Sequence, residues 1–162
     1  MHDVLGLPGP GAGIALVLGP WVIFFSLLAS ELVRKPAIAF PSSLVFGLTV
    51  GILAFIGAPL EQKGKFGSLE FIGGMAVAGA LLTATSHLAR KLRSFVKAAV
   101  AGFVACAGLL AYFWTVIFPQ TVGWIVFKDI PVLLVLGVVG GIAAGLLALA
   151  AARFLRHFFG NI

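Results

Sequence analysis

The chain has 162 residues, of which 61% are hydrophobic and only 10% are charged. Soluble domains carry about 25% charged residues, so this chain has too little charge to cover a water-facing surface. The composition excludes an ordinary soluble domain and predicts an all-α, multi-pass membrane protein. The net charge of +6 comes from basic residues in short loops between apolar runs, which indicates membrane topology rather than nucleic-acid binding.

The chain opens with a segment rich in glycine and proline, "HDVLGLPGPGAG" at 2–13. We expect irregular backbone there, folded over one mouth of the protein. Five apolar runs follow, each long enough to cross a bilayer, which needs about 20 residues per helix. In chain order these predicted spans 1 to 5 cover 12–33, 37–59, 68–89, 97–118 and 130–152. Together they form one transmembrane domain, 1–162, with antiparallel neighbours.

Spans 1 and 2 are joined by a turn in "ASELVRKPAIAF" at 29–40. Pro36 has no N–H and disfavours helical backbone at the preceding residue, so it ends the first helix or starts the second. Glu31 lies three residues before Arg34 and four before Lys35, which predicts a local ion pair within this turn.

Candidate binding residues lie toward the opposite end of the spans. Glu70 enters span 3 there, and an ionisable residue within a span is a functional candidate. Tyr112 and Trp114 occupy the corresponding half of span 4, while Trp21 lies near the middle of span 1. These rings could stack on a flat ligand. Trp124 belongs to "PQTVGWIVFKD" at 119–129, which is too short to span and is expected to be an interfacial loop or a lid.

The loop charges predict the orientation. If the spans alternate, one side holds Lys63, Lys65 and Lys128. The other side holds eight of the eleven basic residues, namely Arg34, Lys35, Arg90, Lys91, Arg93, Lys97, Arg153 and Arg156. Because positive loops stay in the cytoplasm, the N-terminus is predicted outside, the C-terminus inside, and the chain in the cell membrane.

Small residues recur four positions apart in several spans, a pattern that lets helices pack closely in lipid. Most of these rows are expected to pack within the chain's own bundle. Span 5 carries two rows, and one of them could face a partner subunit. The rows are Gly47 and Gly51; Ala76, Ala80 and Ala84; Ala101 and Ala105; Gly137, Gly141 and Gly145; and Ala144, Ala148 and Ala152.

The sequence offers little catalytic chemistry. An enzyme site needs a nucleophile with a base, a carboxylate pair or a metal cluster, and none is evident, so neither catalysis nor a cofactor is expected. His87 and His157 lie far apart. One metal alternative remains at the N-terminus, where the amine, backbone nitrogen and imidazole of Met1 and His2 could chelate nickel or cobalt.

At "LVRKPAIAF" the chain resembles the substrate-binding S components of energy-coupling factor (ECF) transporters, loosely the thiamine or hydroxymethylpyrimidine group. The shared element is Arg34-Lys35-Pro36, with Ala37 in place of the family's glycine. A glycine-rich third span, "FIGGMAVAGALL", and the last span, "GVVGGIAAGLLA", are similar more loosely. The resemblance implies a membrane subunit that binds a vitamin-like molecule and works with a transmembrane coupling subunit and ATPase subunits.

Three functions therefore stand as hypotheses. The first is the substrate-binding subunit of an ECF-type importer, in which Glu70, Trp21, Tyr112, Trp114 and Trp124 surround the substrate. The second is a non-catalytic assembly subunit of a larger membrane complex, where the small-residue rows are the whole function. The third is a cobalt or nickel transport subunit that uses Met1 and His2.

Overall fold

The structure is a computed structural model that describes residues 18–57, 69–117 and 130–159. Within these ranges all regular structure is helical and there is no strand, as the composition predicts. A 3-10 segment, Pro36–Ile38, precedes the second α-helix, and another, Ala89–Lys91, follows the third. A π-helical turn at Phe113–Ile117 continues the fourth. The five α-helices are α1 (Gly19–Val33), α2 (Ala39–Gly57), α3 (Leu69–Leu88), α4 (Ser94–Tyr112) and α5 (Ile130–Phe159).

The helices form a closed ring in which each packs on its neighbours in sequence and α5 returns to pack on α1. In addition, α1 contacts α3 and α4, so it lies toward the middle of the bundle. Val22, Ile23 and Leu27 of α1 are accordingly buried in the core. The core also contains Met75 and Leu82 of α3, together with side chains of α4 and α5.

Among the described residues, four helical stretches are long and apolar enough to cross a membrane: Pro36–Leu53, Glu70–Lys91, Ser94–Tyr112 and Val135–Phe159. The described part of the first span is shorter. Helix α1 has 15 residues, or about 22 Å, against a hydrocarbon core of about 30 Å. Residues 12–17 of the predicted span 1 lie outside the described residues. Multi-pass membrane architecture is therefore supported, while a fifth crossing and the orientation stay predictions.

Helix α5 extends well past the predicted end of span 5. It has 30 residues and a length of about 45 Å, so the predicted boundary at residue 152 is too early. Arg153, Arg156 and His157 thus belong to the helix rather than to a loop after it. The physical reason is that no glycine or proline interrupts the chain between Gly145 and Gly160, and arginine is a good helix former.

The turn between α1 and α2 ends the first helix before proline is reached. Arg34 has a φ of 58°, a left-handed conformation that is uncommon outside glycine. Its N–H donates to the Glu31 carbonyl at 3.3 Å, and the Lys35 N–H donates to the Ser30 carbonyl at 3.1 Å. These bonds satisfy carbonyls that the helix end leaves open. Pro36 then opens the 3-10 segment that leads into α2.

Helices α4 and α5 pack closely against each other. A Cβ added to Gly141 would stand 2.6 Å from both the Cys106 Cβ and the Gly102 carbonyl oxygen, so the contact requires glycine. The Cys106 thiol also donates to the Gly137 carbonyl at 2.8 Å. Both small-residue rows of α5 are buried inside the chain. The suggestion that one of them faces a partner subunit is therefore wrong, because α1 and α4 together cover both.

The alanine row of α3 faces the other way. Ala76 is half-buried, and Ala80 and Ala84 are exposed on the bundle surface. The glycines of α3 lie instead on its covered faces, where Gly79 meets Ser43 of α2 and Gly74 meets Phe113. Identical four-residue spacing thus has opposite roles in α3 and α5, because the position of the neighbouring helices decides which face is covered.

Candidate functional site

The first candidate site lies at the start of α3, on the end of the bundle predicted to face outward. Glu70 is in the first turn of α3, where a carboxylate interacts favourably with the helix dipole. Its side chain is half-buried. One turn further along, Gly73 lies under Tyr112 of α4, since a Cβ at Gly73 would collide with the Tyr112 hydroxyl. Helical spacing places Glu70 and Gly73 on the same face of α3.

Aromatic rings pack together next to Tyr112 at this end of the bundle. A Cβ at Gly74 would lie 3.2 Å from the Tyr112 ring and 3.3 Å from the Phe113 ring, so the glycine pair provides a flat surface for both. Phe113 also packs against Phe71, with ring centroids 6.2 Å apart, and both rings are buried. The result is a carboxylate and a phenol at the edge of an aromatic cluster. The structure places the predicted residue Tyr112 over Gly73, one helical turn from the predicted residue Glu70.

Trp21 belongs to a different aromatic group. Its ring is 50% exposed and stacks on Phe25 at a centroid distance of 5.5 Å, with Phe24 edge-on at 6.1 Å. Phe25 in turn stacks on Phe46 of α2 at 5.9 Å. These rings form a continuous row of stacked aromatic side chains on α1 and α2. Trp21 therefore belongs to this row, whereas Tyr112 packs on α3.

The remaining predicted residues are described only in part. Trp114 lies in the π-helical turn Phe113–Ile117, of which the backbone is described and this side chain is not. Trp124 of the predicted lid and the metal alternative at His2 lie outside the described residues. Within the ranges that are described, no group of three or more His, Cys, Asp or Glu side chains is placed to hold a metal ion.

A second polar site lies at the opposite end, which we call the basic end because it holds the basic turns. Here Lys97 Nζ of α4 lies 2.7 Å from Glu31 Oε1 of α1, and an Arg156 Nη of α5 donates to the Glu31 carbonyl. Glu31 is thus ion-paired with a residue of another helix, a partner that its spacing to Arg34 and Lys35 did not predict. Lys35 has extended backbone, with φ −128° and ψ 110°. Lys35 therefore lies beyond the end of α1, so the helical i, i+4 spacing to Glu31 that the prediction assumed does not apply to it.

A cavity of about 190 Å³ lies beside this ion pair. Four helix ends and the α1–α2 turn contribute to it, and its lining consists of Ser30, Glu31, Arg34, Pro36, Ser86, Lys97 and Arg156. Sequence reasoning missed this site, because each helix supplies one or two polar residues and no local motif links them. The sequence does contain one signal of the site, since Ser30 and Ser86 each lie a few residues before a basic turn.

The two sites differ in what they can do chemically. The Glu70 site combines one acid, one phenol and aromatic surface, which suits a cationic or heteroaromatic molecule. The cavity at the basic end combines three cations with one carboxylate that is already paired, which suits an anion. Comparison of the chain with protein-family models, with curated proteins and with solved structures finds no match.

Proposed function

We propose that the chain is a membrane-embedded subunit that binds a vitamin-like small molecule near Glu70 and Tyr112, as the S component of an ECF-type importer. The observation that supports this proposal is the packing of the Tyr112 phenol over Gly73 and Gly74 of α3, one helical turn from the Glu70 carboxylate. The Arg34-Lys35-Pro36 turn supports it through its resemblance to that family.

The energetics of such a site favour a cationic or heteroaromatic ligand. A carboxylate that is partly withdrawn from water forms a charge-assisted hydrogen bond worth about 1.5–3 kcal/mol. A well-placed aromatic ring adds about 1 kcal/mol by stacking or by a cation–π contact. Trp114 and the lid residue Trp124 follow Tyr112 in the chain and are proposed to complete the pocket.

Energy for uptake would come from partner subunits. The sequence has no G-x-x-x-x-G-K-[ST] loop to hold nucleotide phosphates. In this proposal a transmembrane coupling subunit binds the helical bundle, and ATPase subunits drive the conformational change that releases the substrate to the cytoplasm.

Mass spectrometry of small molecules extracted from the purified protein identifies the ligand. Glu70→Gln is then expected to raise its Kd about tenfold or more, since one decade corresponds to about 1.4 kcal/mol. Trp124→Ala is expected to act mainly by accelerating ligand release, as for a lid. Glu61→Gln removes the same type of charge from the predicted loop and serves as the control. Equal small effects of all three variants would contradict a pocket at Glu70.

One observation favours the second hypothesis, an assembly subunit. Ala80 and Ala84 are exposed on the surface of α3 and Ala76 is half-buried beside them, and such a row allows another membrane helix to approach closely. Ala80→Leu would block that approach. Loss of a co-purifying membrane subunit in this variant, without any extractable small molecule in the wild type, would favour assembly over substrate binding.

A further inference from the structure

The cavity at the basic end contains two buried donors that lack hydrogen-bond partners among the described residues. They are the Nε of Arg156 and the hydroxyl of Ser86, whose residue is 3% exposed. Buried polar groups in folded proteins are nearly always hydrogen-bonded. Both groups line the same cavity, so one acceptor-rich ligand placed there could satisfy them together.

The charge around the cavity favours an anion. Arg34, Lys97 and Arg156 line it together with a single carboxylate, that of Glu31. This carboxylate is bound to Lys97 at 2.7 Å, and cations outnumber carboxylates among the described lining residues. Arginine cannot accept a hydrogen bond and does not lose its proton, so Arg156 favours an oxyanion as the partner of its Nε.

The size and position of the cavity narrow the class of anion. Its volume of about 190 Å³ is enough for a tetrahedral oxyanion. It lies where α1 ends and α4 begins, beside a turn that leaves the membrane helices. Arg34 is exposed, so one wall reaches the surface at the predicted level of the lipid headgroups.

We propose that this cavity binds a phosphate group, with the Arg156 guanidinium and the Ser86 hydroxyl as its buried donors and Arg34 at its open side. The same chemistry is available from two sources, the headgroup of an anionic phospholipid and free inorganic phosphate. On the cytoplasmic face, basic sites between membrane helices hold anionic headgroups by the same electrostatics. The site is independent of the ligand proposed at Glu70, which lies at the other end of the bundle.

The first experiment uses the wild-type protein purified in a neutral detergent. Inorganic phosphate is expected to raise the thermal unfolding temperature more than chloride or acetate at equal ionic strength, because a ligand that binds only the folded state stabilises it. In parallel, native mass spectrometry after reconstitution with phosphatidylglycerol or phosphatidylcholine measures how much of each lipid the protein retains. Equal unfolding temperatures in all three salts, together with equal retention of both lipids, would overturn the proposal.

Competition between inorganic phosphate and phosphatidylglycerol shows which of the two sources supplies the phosphate group. If the site holds a lipid headgroup, phosphatidylglycerol is retained and millimolar inorganic phosphate displaces little of it. If the site holds free phosphate, stabilisation by phosphate persists in detergent and retention of the two lipids is equal. Acetate that stabilises as strongly as phosphate would instead show a general carboxylate or anion site and would refute the phosphate assignment.

Charge variants test the residues. Arg156→Gln is expected to weaken phosphate or phosphatidylglycerol binding about tenfold, since it removes a charge-assisted contact. Arg153→Gln removes the same charge from an exposed position one turn earlier in α5 and is expected to change binding less than about twofold. Equal losses in both variants would indicate diffuse surface charge and would overturn the site.

Two further variants keep the test valid if Arg156→Gln folds poorly. Ser86→Ala removes one buried donor with little change in volume, and a severalfold loss of binding is expected. Glu31→Gln is expected to act in the opposite direction and to strengthen anion binding, because it deletes the only carboxylate of the cavity and releases Lys97. Weaker anion binding in a folded Glu31→Gln protein would contradict the proposed electrostatics.

Discussion

Lys97 Nζ lies 2.7 Å from Glu31 Oε1, and this ion pair joins the first turn of α4 to the last turn of α1. The two side chains are 20% and 18% exposed, so water screens the pair less than it would on an open surface. Because Arg156 of α5 donates to the Glu31 carbonyl, one residue links three helices at the basic end.

A double-mutant cycle with Glu31→Gln and Lys97→Met is expected to give a coupling free energy of about 1 kcal/mol. The coupling should decrease at high salt, since ionic screening weakens partly exposed pairs. The measurement is the free energy of unfolding in detergent micelles. Lys91→Met, at an exposed position in the turn before α4, is the control and should change stability little. Strictly additive single effects would mean that the two charges do not interact.

Gly141→Ala is expected to destabilise the protein by about 1–3 kcal/mol, the usual cost of overpacking a close contact. The added methyl would stand 2.6 Å from the Gly102 carbonyl oxygen and from the Cys106 Cβ, so α4 and α5 must separate. Ala143→Val adds bulk at an exposed position of the same helix and is the matched control. Thermal unfolding in detergent measures both, and comparable stabilities of the two variants would argue against the close α4–α5 contact.

Gly73→Ala is expected to destabilise the wild type by about 1–3 kcal/mol, because the new Cβ would collide with the Tyr112 hydroxyl. In the Tyr112→Phe background the same substitution should cost clearly less, since the oxygen in its way is gone. Unfolding free energies of the four proteins give the interaction term. An unchanged cost of Gly73→Ala in that background would show that Tyr112 does not lie over α3 at Gly73.

Single cysteines at positions 63 and 93 should react with a membrane-impermeant maleimide from opposite sides of the membrane. The background is Cys106→Ser, in which the hydroxyl can keep the bond to the Gly137 carbonyl that the thiol makes at 2.8 Å. The Lys63→Cys variant is expected to label from outside and Arg93→Cys from the cytoplasm, as the basic loops predict. Labelling of both from one side would contradict the predicted orientation of all five helices.

The sequence predicts where the helices lie better than where they end. Long apolar runs specify α2 to α5 because length and hydrophobicity are properties of the segment itself. The extension of α5 to Phe159 was not predicted, since arginines normally mark a loop at the membrane edge and yet also favour helix. The left-handed turn at Arg34 was missed for a similar reason, because the adjacent Pro36 was a more obvious signal.

The sites depend on tertiary contacts that spacing alone cannot show. The sequence predicts Glu70 as the acid of the binding site. It does not predict that Tyr112 packs on Gly73, because these two residues are about 40 positions apart in the chain. The cavity at the basic end draws single polar residues from separate helices. The sequence predicts Lys97 and Arg156 only as topology signals, since a loop charge looks the same whether it faces water or another helix.

The length of α5 has a consequence for how the protein responds to its bilayer. The apolar part of α5, 130–152, is about 34 Å long and slightly exceeds a hydrocarbon core of about 30 Å, and a single mismatched helix would ordinarily relieve the difference by tilting or sliding on its own. Arg156 prevents independent sliding, because it is fastened to the Glu31 carbonyl in α1, which is itself bound to Lys97 in α4. We therefore expect a change in bilayer thickness to tilt the bundle as a whole rather than α5 alone.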